Sequence, residues 1–366
     1  MEPMKSAFSF ASRESYESIH EENIRKKQKH IKRKKRRKRT ALAALSTVGA
    51  AGLVCTALFL KGRRKERKEA APLGVPLDTP LGVPRGTYEV WKSDKASDGT
   101  TIAYEKQGSG HYPVVFLHGM YPGADREEWR HIAAELAKTD VGYDVYGVDL
   151  PGFGQSAPIA KPWTAYRYVN VLHDFLQDVV QKSVAVVAVG LSADIALMLS
   201  LLHPEDIQKL VLIAPEGIGR GFATKADVRH LKWMGCPLVG LSAFLYGTSK
   251  KRIRAMVETM FYEKERIPAD FLQRVMQNAR HQKGARVCYT QCISRFAACS
   301  SVYAFQELSH PFLLIWGEKN EKNPPIHLEE AEQMQEKGEF MLFEHTAELP
   351  HMENPKGFLQ ILQNFL

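Results

Sequence analysis

An α/β fold with a mostly parallel central sheet and helices on both faces is predicted by three features of this 366-residue chain. Buried-strand patterns alternate with helical patterns at the spacing of βαβ units, which join parallel strands through crossovers. The run Ser183 to Leu202, SVAVVAVGLSADIALMLSLL, passes from an apolar strand through a tight turn into an apolar helix. Between Glu216 and His310 the periodicity is helical throughout, so an insertion interrupts the alternation.

Pro113-Val114-Val115-Phe116-Leu117 reads as a buried strand ending in His118-Gly119-Met120, a loop able to aim backbone N–H groups at developing negative charge. Tyr143 to Asp149, YDVYGVD, is a second buried strand, leading into Leu150-Pro151-Gly152-Phe153-Gly154-Gln155-Ser156. From Tyr166 to Val180, Tyr168, Val171, Leu172, Phe175 and Val179 fall on one helical face. The strand beginning at Ser183 then reaches the turn. Leu210 to Pro215 and Pro311 to Gly317 read as further strands, Glu339 to Glu344 as the last strand and Phe358 to Leu366 as the closing helix. The insertion, about residues 218–308, reads as a helical lid carrying Trp233, Phe244, Tyr246, Phe261 and Tyr262, and most of these rings are expected to form the lid's own core.

At the turn, Gly190 lets the chain reverse tightly, and Ser192 is expected in a strained conformation with Oγ pointing out of the sheet. One residue departs from the pattern G-x-S-x-G. Where a second glycine lets the helix pass close to the strand, this chain has Asp194.

His118-Gly119 after one strand, D-x-x-G-x-G-x-S at Asp149–Ser156 after the next, and G-x-S at Gly190–Ser192 together resemble the α/β-hydrolase superfamily. The resemblance implies the α/β-hydrolase fold with a lid, Ser192 as nucleophile, and an oxyanion hole between the Met120 and Ala193 N–H groups. It implies a structural role for His118. The other two triad positions depart from the family. In W-G-x-x-D the acid position is Asn320, followed by Glu321; in G-H-x-x-x-x-E-x-P, aligned by Glu353 and Pro355, the histidine position is Glu348. A carboxylate beside neutral Asn320 avoids the repulsion it would meet beside an aspartate, so the two changes fit each other.

Three mechanisms follow. In the first, His351 serves as general base, oriented by Glu321 or Glu216, because imidazole titrates near neutrality. In the second, Glu348 is itself the base, with a pKa raised by burial. In the third, the site binds without catalysing, since loss of a triad base costs on the order of four decades or more in rate. An ester or other acyl bond of a small, lipophilic molecule is the substrate class a serine nucleophile with an oxyanion hole suits. No cofactor is called for. There is no phosphate-binding loop or metal motif, and Cys236, Cys288, Cys292 and Cys299 read as lid packing.

The N-terminus is of different character. Twelve of the fifteen residues from Arg25 to Arg39 are Lys or Arg, and they abut Ala41 to Leu60, a stretch without a charge. That length suits a single transmembrane helix. Residues 1–40 read as a basic tail, 61–86 as a basic and then Pro/Gly-rich linker, and 87–366 as the folded domain with its lid. The basic excess before the span, weighed against six basic residues after it, predicts a cytoplasmic N-terminus and an extracytoplasmic domain. Residues 1–70 hold 20 Lys and Arg against 7 Asp and Glu, so they more than account for the net charge of +9. The remainder is slightly acidic, which argues against nucleic acid as a partner and for contact of the tail with anionic lipid. Glu128-Trp129, Thr164-Ala165-Tyr166-Arg167-Tyr168 and Pro350-His351-Met352-Glu353 are similar to a bacterial group of membrane-anchored α/β-hydrolases, which supports His351 as the important C-terminal residue.

Overall fold

The computed structural model describes residues 88–94, 100–219 and 225–366. The basic tail, the span expected at 41–60 and the linker lie outside the described residues. Among the described residues no helix is long and apolar enough to cross a membrane.

Eight strands form one sheet in the order β1-β2-β4-β3-β5-β6-β7-β8. The anticipated strands are β3 (Tyr112–Leu117), β4 (Tyr143–Asp149), β5 (Val184–Val189), β6 (Ile207–Ile213), β7 (Phe312–Gly317) and β8 (Glu339–Phe343), all paired in parallel. β1 (Glu89–Lys92) and β2 (Thr101–Gln107) extend the sheet antiparallel at one edge. The residues of β4, β5 and β7 are buried along their whole length, as expected of strands covered on both faces.

Helices α1 (Arg130–Ala137), α2 (Ala165–Phe175) and α3 (Leu191–Leu202) connect the first half of the sheet. α2 buries Tyr168, Val171, Leu172 and Phe175 as its periodicity requires, and a π-helical turn continues it to Val180. The lid contains α4 (Lys225–Gly235), α5 (Pro237–Gly247), α6 (Lys250–Glu258), α7 (Ala269–His281) and α8 (Ala285–Ile293). After it come α9 (Val302–Gln306), α10 (Ile326–Met334) and the closing helix α11 (Pro355–Phe365). The lid's rings divide differently from expectation. Phe244 and Phe261 are buried, but Trp233 and Tyr246, on helices that pack through other faces, and Tyr262, in the loop after α6, are exposed. Cys288, Cys292 and Cys299 pack against the main core, whereas Cys236, just before α5, is exposed.

The loop after β4 shows why its motif has this form. The buried Asp149 carboxylate accepts the Arg126 and Gln155 amides at 2.7 and 2.8 Å and pairs with the Arg126 guanidinium. A Cβ on Gly154, at φ +50°, would strike that carboxylate. Ser156 Oγ donates to the Asp149 carbonyl and accepts the Ala103 amide, tying the loop to β2.

Candidate functional site

The elbow lies between β5 and α3, and its geometry redistributes the expected roles. Gly190 occupies the junction itself, with φ 59° and ψ −128°, a combination that side chains rarely adopt. Leu191 is the first residue of α3, so Ser192 is already inside the helix. Its side chain has no exposed surface, and its Oγ donates to the His118 carbonyl at 2.6 Å. Ser192 therefore faces the sheet rather than the space in front of it. Read from the strained junction, the elbow motif is Ala188-Val189-Gly190-Leu191-Ser192, with small residues two before and two after the turn, and glycine where the nucleophile would stand. An ideal Cβ on Gly190 would meet only the Glu216 carboxylate, at 4.0 Å, so there is open space before the turn.

Of the two amides expected to form an oxyanion hole, one is already used by the turn. Ala193 N–H donates to the Gly190 carbonyl at 3.0 Å and is spent within the turn. Leu191 is the first residue of the helix, where the N–H groups have no partner in a preceding turn. Met120, the other amide expected there, is half-buried on the loop after β3. That loop is held from behind. Gly119 N–H and Tyr121 OH both donate to Glu128 Oε2, at 3.3 and 2.7 Å. His118 is structural, as anticipated: its Nε2 accepts the Leu150 amide at 3.1 Å, which leaves Nδ1 to donate to the Gly119 carbonyl at 2.8 Å.

His351 belongs to this supporting layer. It is buried, stacks on Trp129 with centroids 4.0 Å apart, and places Nε2 3.3 Å from Glu128 Oε1. Burial pushes the Glu128 carboxyl up, but His351 and Tyr121 outweigh it and hold the group below its ordinary range. Glu128-Trp129 and His351, far apart in sequence, are thus one cluster. The structure does not bring His351 to Ser192; each is committed to another partner. Glu321 is exposed and does not orient His351.

Asn320 follows β7 and Glu348 follows β8. Glu348 forms an ion pair with Lys322, at 3.0 and 3.1 Å to its two oxygens, and its amide donates to Met260 O in the lid. Asn320 is buried and its Oδ1 accepts the Asn323 amide at 2.9 Å. Asn323 in turn donates to the carbonyls of Ala214 and Pro215 at the end of β6. Glu353 accepts the Ala347 amide at 2.6 Å and the Tyr262 amide at 2.7 Å, fixing the Glu348 loop against the lid.

Glu216 stands before the elbow and pairs with Arg295 at 2.9 Å. Arg295, and Ala214 at the end of β6, both have positive φ, at 47° and 43°, as does Gly190. Such strain concentrates at sites whose shape is functionally constrained. The place of Gly190 at the strained junction was missed; the small residues spaced two either side of it were the available signal.

Residues 112–355 match the family model described as the alpha/beta hydrolase fold. The chain is 28% identical over 143 residues to the dihydrolipoyllysine-residue acetyltransferase component of the acetoin cleaving system of Cupriavidus necator, covering 37% of each chain. It is 21% identical over 269 residues to a 2-hydroxy-6-oxononadienedioate/2-hydroxy-6-oxononatrienedioate hydrolase of a Pseudomonas species, covering 73% of this chain and 92% of that one. The chain thus spans little more than a third of the first relative's length and nearly all of the second's. Among solved structures, a thermophilic esterase from Thermogutta terrifontis has a TM-score of 0.63 at 19% identity, covering 75% of this chain and 97% of that one. At that identity the likeness is one of fold.

Proposed function

Because the chain belongs to the α/β-hydrolase fold family, we propose that its site is a modified hydrolase site that binds a small acyl or other carbonyl compound without a serine nucleophile. The observation that carries this reading is Gly190 at the strained junction, with Ser192 turned into the helix and bonded to the His118 carbonyl. Asn320 and Glu348 at the other triad positions leave no imidazole to take a proton and no carboxylate to orient one. What remains is the binding half of the machinery. The Leu191 and Met120 amides can face a carbonyl oxygen, with Glu216 and Arg295 at the edge of the space before Gly190. The uncharged run 41–60 between basic flanks supports attachment of the domain to a membrane through a single span, with a cytoplasmic N-terminus.

A second reading, hydrolysis of an ester or C–C bond, is favoured by relatives whose names describe such hydrolases, including the pimeloyl-[acyl-carrier protein] methyl ester esterase of Aeromonas hydrophila. Labelling of the full chain with a fluorophosphonate separates the two. The binding reading expects no labelling of the parent protein and appearance of labelling in Gly190→Ser/Asn320→Asp/Glu348→His, which restores a triad at the observed positions. Labelling of the parent that disappears in Ser192→Ala would sink it.

A further inference from the structure

Helix α5, PLVGLSAFLYG, has no charged residue, yet one of its faces is open. Its inner face is accounted for: Phe244 packs with Met234 of α4 and with Ala285 and Tyr289 of α8. Its outer face presents Leu238, 74% exposed, Leu241, 42%, and Tyr246, 66%, and Trp233 at the end of α4 adds an indole that is 58% exposed. A helix apolar on all sides is ordinarily covered, by a core or by lipid. Four such side chains fall between Trp233 and Tyr246, a concentration unlike singly scattered surface residues.

Charge identifies the cover. From Trp233 to Ser249 the chain carries no charge, and the run is bounded by Lys232 on one side and Lys250-Lys251 on the other. Between Val228 and Val257 there is no Asp or Glu, while Arg229, Lys232, Lys250, Lys251, Arg252 and Arg254 are all exposed. The Arg252 guanidinium lies 5.1 Å from the Tyr246 ring, so the basic rim adjoins the apolar face. A second copy of this face would bring one basic rim against another, which is unfavourable. The uncharged run is also too short to span a bilayer and is broken by Pro237 at the start of α5. Trp, Tyr and Leu on one side with Lys and Arg around them is the composition of a helix that lies in the plane of an interface.

We propose that the α4–α5 hairpin of the lid docks on an anionic lipid surface, seating Trp233, Leu238, Leu241 and Tyr246 at the headgroup boundary with the flanking lysines and arginines on lipid phosphates. The docking involves neither the elbow residues nor residues 41–60. The exposed Cys236 lies within the hairpin and allows a direct test. The full chain, with Cys55→Ser, is labelled at Cys236 with an environment-sensitive fluorophore and reconstituted into phosphatidylcholine vesicles with or without phosphatidylglycerol. The expected result is a blue-shifted emission that requires phosphatidylglycerol and is quenched by spin-labelled headgroups. Leu238→Asp/Leu241→Asp should abolish the shift with an unchanged melting temperature, because those side chains are exposed. Replacing Lys250, Lys251 or Arg254 by Gln should weaken docking about fivefold per charge. No shift on phosphatidylglycerol vesicles, an equal shift on phosphatidylcholine alone, or a shift in detergent that grows with protein concentration and so reports a second copy, would each overturn the proposal.

Discussion

Ser192 and Gly190 divide between them what one residue does in a serine elbow: the glycine takes the strained turn and the serine supplies a buried hydrogen bond. The consequences of substitution are correspondingly structural. Ser192→Ala leaves the His118 carbonyl without its 2.6 Å donor in a buried setting, which should cost about 1–2 kcal/mol of stability. Denaturant unfolding measures that loss, and ligand binding at the elbow should survive it. A loss of binding with no loss of stability would restore Ser192 to the site. The ambiguity was present in the sequence, because serine is small enough to fill the flanking position of the motif as well as its centre. Asp194 was the residue that betrayed the wrong register. Counted from Gly190 it no longer stands where a glycine is needed, and its carboxylate instead accepts the Gly217 amide and the Ser301 hydroxyl.

At the scale of elements, β4, β5 and β7 were legible because strands covered on both faces read as near-continuous apolar runs. β1 and β2 were not, since EVWK and TIAYEKQ mix exposed and buried positions on an edge. Long-range clusters were also illegible, His351 above all, whose partners Glu128 and Trp129 lie on the opposite side of the sequence. That cluster joins the oxyanion loop to the segment before α11, and removing one partner of a buried pair typically costs about 3–5 kcal/mol. His351→Ala should therefore destabilise the domain by that order. Its pH dependence tells a pair from simple packing. The Glu128 pKa is lowered in the folded state, so its contribution is present above its ordinary value of 4.5 and lost as pH falls through the folded value. Without His351, burial of Glu128 is unopposed by its main partner. The stability gap between parent and His351→Ala should be widest near neutral pH and should narrow below about pH 4.5 in urea titrations; a gap independent of pH would leave packing alone as the role of the ring.

Over the whole molecule, one carboxyl ties the sheet to the lid insertion. Asp194, on α3, is fully buried; both its oxygens accept the Gly217 amide at 2.9 Å, and Oδ1 also accepts the Ser301 hydroxyl at 2.6 Å, at the two ends of the lid. Burial is the largest influence on it and outweighs these hydrogen bonds, pushing its pKa from 3.8 up to about 8, with the nearby Glu216 carboxylate adding to the rise. Between those two values the folded state holds a proton that the unfolded chain has released. The unfolded state then binds fewer protons, so stability falls as pH rises through this window. The contribution is fully present below about pH 4 and exhausted above about pH 8. Asp194→Asn has no proton to release, and its stability relative to the parent should climb steadily from pH 4 to pH 8 and level off beyond. Denaturant midpoints measured across that range decide the matter. A difference that stays constant with pH would mean that Asp194 is ionised throughout and that the lid is anchored by an anion rather than by a neutral acid.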